Sequence, residues 1–325
     1  MIEIRLVRDT QVLIDGRVFS GRDFGGAKPR QLLEVLALHL GETVSKDRLA
    51  DLLWQGRPPP SWTATLEGYI SLLRRLEPGV SARASVIRTT NGGYLLDSDR
   101  VRVDTTTVHD LVGQARSARP GVALPLLRRA LELADGVLLA NSTGVRWADE
   151  ARQEHLLLRV ETATRAAQHA LNLGQAELAA SLADTALGLD PLAEEACRLA
   201  MQALHAAGRT GEALRRHAAL RSVLSDELGI DPTPQTQAVL TQLLREEAPQ
   251  VLPLQRRGTD RPLTLVGRPE RTVDLLAGAV AVALRRTSSD GRGCDDDPEL
   301  VAKLEDVLRH LRGDAVLDRM AGLAS

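Results

Sequence analysis

One long-range self-similarity limits the architectures open to this chain. "LNLGQAELAASL" around Gly174 recurs as "HAAGRTGEALRR" around Gly208, a separation of 34 residues. A fixed period of this length calls for units of two antiparallel helices, since a single unit cannot bury its apolar face and must stack on a neighbour. Aromatic residues make up only 2% of the chain, so alanine, leucine and valine must fill the core, which suits close helix-on-helix packing. Asp190-Pro191 falls between the two copies, where a proline stops one helix and does not continue it.

The spacing is the tetratricopeptide period and predicts an all-α domain over residues 104–247, with the stretch "RWADEARQEHLLLRVETATRAAQHAL" supplying a further unit. An unrelated helical bundle is the alternative for Ala/Leu/Arg/Glu-rich text of this kind.

The first hundred residues read differently. "MIEIRLV", "QVLID" and "RVFS" are short β-type runs, and Asp15-Gly16 between the last two is a hairpin signal. Three helices follow. "KPRQLLEVLALHLGE" carries Pro29 in its first turn and Gly41 as a stop; "SKDRLADLLWQG" starts on Ser45 as N-cap; "SWTATLEGYISLLRRLEPG" starts on Ser61 or Thr63. "SVIRTTNGGYLLD" then shows two β-rich arms around Asn91-Gly92-Gly93, a second hairpin.

This order of sheet, three helices and hairpin is that of a winged helix-turn-helix. On "SKDRLADLLW", "YISLLRRLEPG" and "IRTTNGGYLL" the region 1–100 resembles the DNA-binding domain of OmpR-type response regulators. The resemblance implies a third helix in the major groove and a wing in the adjacent minor groove. Turned at 100° per residue, Leu66, Ile70 and Leu73 form the inner face of that helix. Gly68, Ser71 and Arg75 lie opposite, with Thr65 and Leu72 flanking them. The expected DNA-contacting set is Lys28, Arg30, Thr65, Gly68, Tyr69, Ser71, Leu72, Arg74, Arg75, Arg88, Thr89 and Asn91. Relatives typically carry arginine at the place of Leu72, and leucine cannot make the bidentate contact to guanine. Phosphate contacts from Lys28, Arg30, Arg75 and Arg88 are then expected to carry most of the affinity, and recognition to lean on Arg75, Tyr69, the wing and DNA shape.

From Arg146 to Leu244 the helical text resembles the bacterial transcriptional activation domain, most tellingly in "DELGIDPTPQTQAV", and the resemblance implies that this domain covers residues 104–247. The pairing of the two domains in this order is the architecture of the Streptomyces antibiotic regulatory protein family. It implies a mostly α protein, with an N-terminal α+β winged helix followed by a tetratricopeptide-like domain. It also implies an activator that binds promoter direct repeats in double-stranded DNA as a homo-oligomer, recruits RNA polymerase and switches on clustered biosynthetic genes. The alternative is a helical-repeat interaction or sensor protein whose winged helix no longer discriminates sequence.

Residues 248–262, "PQVLPLQRRGTDRP" with its flanks, read as a linker. In segment 263–325, "LTLVGRPERTVDLLAGAV" resembles the opening of the signal-transduction NTPases that follow these domains in larger regulators. No G-x-x-x-x-G-K-[ST] loop occurs in the chain, so neither nucleotide nor other cofactor is expected, and no enzymatic role. Asp295-Asp296-Asp297 before Pro298 reads as a helix cap rather than a metal site. Net charge is −2, so no global field draws the chain to nucleic acid or membrane. Two cysteines argue against a disulfide framework, and with no long apolar run the expected location is the cytoplasm.

Overall fold

The computed structural model describes residues 1–247 except Pro78 and Ala82. The expected linker, the NTPase-like segment and the Asp295–Asp297 cap lie outside the described residues.

Strands β1 (Ile2–Arg5), β2 (Gln11–Ile14) and β3 (Arg17–Ser20) form an antiparallel meander. In β1 the alternation is strict: Ile2 and Ile4 are buried, Glu3 and Arg5 exposed, as a half-buried strand requires. Asp15 and Gly16 both take positive φ, 48° and 81°, which matches the twist of a two-residue hairpin. A short 3₁₀ turn over Gly21–Phe24 leads into α1 (Ala27–Leu38), α2 (Lys46–Trp54) and α3 (Trp62–Arg74). Ser45 caps α2 as expected, its hydroxyl accepting from the Arg48 N–H at 3.1 Å. Leu32, Leu36, Leu49, Leu53, Leu66 and Ile70 meet in the core with 1% exposure or less. Each such burial contributes about 1.5–3 kcal/mol before entropy is counted.

The wing is β5 (Ile87–Thr90) and β6 (Gly93–Leu96), turning at Asn91-Gly92. Two strands escaped the sequence reading. β4 (Val44–Ser45) pairs with β6, so the wing belongs to a three-stranded sheet. β7 (Val101–Val103) runs parallel to β1, with Ile2 opposite Val101, and extends the first sheet to the order β3-β2-β1-β7. The N-terminal sheet therefore reaches past residue 100.

The helical region comprises α4 (Asp104–Arg116), α5 (Pro120–Leu133), α6 (Arg146–Asn172), α7 (Ala176–Leu189), α8 (Glu194–Ala206), α9 (Thr210–Leu228) and α10 (Pro234–Glu247). Gly174 and Gly208, the two centres of the repeat, close the α6–α7 and α8–α9 turns with φ of 72° and 74°. Only glycine takes this left-handed geometry without a Cβ penalty. One expectation needs correction. The stretch from Arg146 is the single helix α6 and itself opens the first repeat, while the additional pair is α4–α5. Alanines at 163, 166, 167, 170, 183, 186, 196, 200 and 203 have no exposed area, which lets the helices approach closely.

The winged helix and the helical region share a core. Leu138, Leu139, Val145 and Trp147 pack into the same cluster as Leu36 and Leu49. Val7 and Leu138 form an antiparallel bridge, and the Leu139 N–H donates to the Leu6 carbonyl at 2.8 Å. At the start of α4 the Asp104 carboxylate accepts from the N–H groups of Leu6, Val7 and Thr105 at 2.8–3.0 Å. Burial pushes the Asp104 carboxyl upward, while these bonds pull it back.

Candidate nucleic-acid interface

The inner face of α3 is sealed: Leu66, Ile70 and Leu73 are at most 3% exposed. On the opposite face Gly68, Ser71 and Arg75 are exposed, with Thr63, Ala64 and Glu67 beside them. No atom lies within 4 Å of where a Gly68 side chain would begin, so the helix backbone is open to a close approach. The Ser71 hydroxyl donates to the Glu67 carbonyl at 2.9 Å and the Thr65 hydroxyl to the Ser61 carbonyl at 3.0 Å. Each keeps acceptor capacity. Arg75 stands at the C-cap, exposed, and makes no side-chain hydrogen bond or ion pair among the described residues.

Leu72 departs from the expected geometry. Its side chain rests on Gly25, which has φ of 74° and where any Cβ would run into the leucine methyl. Leu72 is half-buried and helps seat α3 on the turn before α1, rather than facing outward. Tyr69 is also half-buried, stacked on Trp54 with ring centroids 6.4 Å apart.

The remaining basic side chains divide by what holds them. The Arg74 guanidinium donates to the Ile87 carbonyl at 2.7 and 3.1 Å and to the Thr89 hydroxyl at 2.9 Å, which ties the wing to α3. Arg88 pairs with the buried Asp97 at the wing base while half its side chain stays exposed. Asn91 is exposed at the wing tip. Lys28 caps the end of α2 by donating to the Leu53 carbonyl, and burial lowers its pKa. Arg30 is 13% exposed and spent on Glu34 at 3.2 Å and on the Asn141 carbonyl at 2.6 Å. Lys28 and Arg30 thus serve as structural ties in this conformation.

Two residues on this surface were not anticipated. Lys46, at the start of α2, pairs with Glu67 on α3 at 2.8 Å, and its backbone N–H donates to the Gly92 carbonyl at the wing turn. The hydrogen bond to Glu67 raises the lysine pKa. An exposed pair of this kind is weak and yields readily to a phosphate. No sequence pattern couples two residues 21 apart on different helices. Among the described residues no helix is long and apolar enough to cross a membrane, and no three His, Cys, Asp or Glu side chains are arranged to hold a metal.

Residues 25–96 match the family "Transcriptional regulatory protein, C terminal", and residues 103–244 match the "Bacterial transcriptional activator domain". The chain is 35% identical to the regulatory protein DnrI of Streptomyces peucetius, over 68% of this chain and 85% of that protein. It is 32% identical to the transcriptional regulator RedD of Streptomyces coelicolor, over 66% of this chain and 63% of that one. The regulatory protein AfsR of Streptomyces griseus is 31% identical over 69% of this chain, which spans only 23% of AfsR. A solved structure of Mycobacterium tuberculosis EmbR in complex with a low-affinity phosphopeptide shares the fold, with a TM-score of 0.67 at 24% identity over 87% of this chain and 70% of that one. DNA binding through an OmpR-type winged helix joined to an activator domain follows, and the chain belongs to the Streptomyces antibiotic regulatory protein family of transcriptional activators.

Proposed function

We propose that this protein activates a cluster of biosynthetic genes by binding direct repeats in their promoters as more than one protomer and recruiting RNA polymerase. The observation that carries the reading is the asymmetry of α3. Its inner face is sealed into the core, while Gly68, Ser71 and Arg75 stay open beside a wing tethered by Arg74. In this reading α3 enters the major groove with Ser71, Thr65 and Glu67 near base edges, Glu67 able to accept from cytosine. Arg75 and Arg88 neutralise phosphates, and Thr89 and Asn91 follow the minor-groove edge. Tyr69 and Leu72 hold the helix at its angle, and Lys28 and Arg30 act at one remove through the ties they make. With no arginine on the central groove face, discrimination rests on short polar side chains and on DNA deformability.

A fluorescence titration against promoter fragments flanking its gene, with non-specific competitor present, tests this. Tight binding to one fragment, lost when either copy of a direct repeat is scrambled, is the expected result. Weak and equal binding to every duplex would sink the proposal and favour a helical-repeat interaction protein.

A further inference from the structure

Between Trp62 and Arg74, helix α3 carries two charged side chains, Glu67 and Arg74. The Arg74 guanidinium is engaged by the Ile87 carbonyl and the Thr89 hydroxyl, which leaves Glu67 as the charged group this helix can offer to a base edge. Its side chain is 54% exposed. A carboxylate on a surface that meets DNA is repelled by the phosphates, so its place beside the outer face of α3 calls for a compensating charge.

Lys46 supplies it. The ammonium donates to Glu67 Oε1 at 2.8 Å and lies over the Tyr94 ring, 5.8 Å from its centroid. The Lys46 backbone is fixed as well, its N–H donating to the Gly92 carbonyl at 3.0 Å. Anchored in this way to α2 and the wing turn, Lys46 aims the carboxylate of α3. Glu67 Oε2 has no hydrogen-bond partner among the described residues, so one oxygen holds the lysine and the other is left to accept. The ammonium keeps further donors, enough to meet a phosphate while retaining the pair. At the neighbouring Gly68 no side chain holds a groove floor away from the carboxylate.

The major groove offers a carboxylate few partners. Guanine N7 and O6 and thymine O4 only accept and so repel it, whereas cytosine N4 and adenine N6 donate. Adenine N6 stands between two acceptors, its own N7 and the paired thymine O4. Cytosine N4 has an acceptor on one side alone, the paired guanine O6. We infer that Glu67, aimed by Lys46, reads cytosine at one position in each copy of the repeat, and that this contact takes the part of a guanine-reading arginine. The inference rests on the reading that α3 enters the major groove.

The full chain is used to select duplexes from a randomised library, and the enriched sites are sequenced. One position in each repeat copy is expected to hold cytosine, and replacing it with another base to weaken binding about tenfold or more. Glu67→Gln brings an amide that pairs with adenine N6 and N7, so that position is expected to turn to adenine while the rest of the site stays. Lys46→Met strips the counter-charge. It is expected to weaken binding in the parent, and by less in the Glu67→Gln background, where no carboxylate is left unpaired. Each variant is first shown to melt as the parent does. A cytosine preference that is absent from the parent, or unchanged by Glu67→Gln, overturns the inference, and equal losses from Lys46→Met in the two backgrounds overturn the aiming role. Arg75→Ala separates this inference from the reading beneath it. If that variant weakens binding to all sequences while Glu67→Gln changes nothing, α3 lies in the groove and Glu67 is not its reader. If both variants bind as the parent does, or no sequence is enriched, the docking of α3 falls as well.

Discussion

Glu34 has no exposed area, yet three donors converge on its carboxylate. The Thr10 hydroxyl lies at 2.6 Å, the Ser142 hydroxyl at 2.5 Å and the Arg30 guanidinium at 3.2 Å. Thr10 precedes β2, Glu34 and Arg30 sit on α1, and Ser142 comes from the loop before α6, so one side chain joins the sheet, the reading unit and the helical region. Glu34→Ala leaves the largely buried Arg30 without its counter-charge, and removal of one partner of a buried pair costs about 3–5 kcal/mol. Urea unfolding of the variant is expected to show a loss of that size, and a loss below about 1 kcal/mol would mean that water satisfies the site. At this scale the sequence is a poor guide. Lys28, Arg30 and Leu72 can be assigned to a face by counting residues, but their partners, the Leu53 carbonyl, the Asn141 carbonyl and Gly25, cannot. A helical wheel gives a direction and says nothing about what stands there.

The wing shows what a short element needs in order to hold still. It has few residues and a mostly exposed outer arm, so its position depends on Arg74, on the pairing of Arg88 with Asp97, and on Gly93. A Cβ on Gly93 would run into the Val44 carbonyl oxygen, so only glycine lets β6 lie against β4 at this point. The neighbouring arginines of α3 should therefore fail differently. Arg75→Ala removes an exposed charge at the end of α3, and is expected to weaken binding to all DNA sequences alike while lowering the salt slope by about 1. Arg74→Gln releases the wing but no phosphate contact, so affinity should fall with the salt slope unchanged, and protease cleavage near residues 88–92 should quicken. A salt slope lowered by about 1 in both variants would show that both arginines touch phosphate. The hairpin itself was legible, because Asn91-Gly92-Gly93 between β-rich arms is a local signal. β4 and β7 were not, because two or three residues carry no measurable alternation and their partners lie far away along the chain.

Across the described residues the two regions that the sequence separates by composition prove to be one packed body over residues 1–247. The repeat and the winged-helix order could be read because each is periodic or locally punctuated; the shared core could not, because Leu138, Leu139 and Trp147 sit in text with no period pointing to α1. A fragment of residues 1–100 lacks β7, the Asp104 carboxylate and that part of the core. It is expected to show no cooperative melt, whereas residues 1–247 should unfold in a single transition; a cooperative melt of the short fragment would contradict this. The same junction sets the response to acid. His155 is 8% exposed and donates to the Ala134 carbonyl, and burial holds its pKa below the ordinary 6.5; burial lowers His169 and His217 as well. A folded state that resists protonation binds fewer protons than the unfolded chain as pH falls through about 6.5, so stability rises with pH across that window. What these histidines contribute is present in full above it and is lost progressively below. Calorimetric melting of residues 1–247 should therefore show Tm falling from pH 7.5 to pH 5.5, before most carboxylates titrate. His155→Gln keeps a donor for the Ala134 carbonyl but cannot titrate, so its Tm should fall less steeply over the same range. A variant as steep as the parent would show that His155 is protonated as easily in the folded protein as in the unfolded chain, and that the junction is wetter than its packing implies.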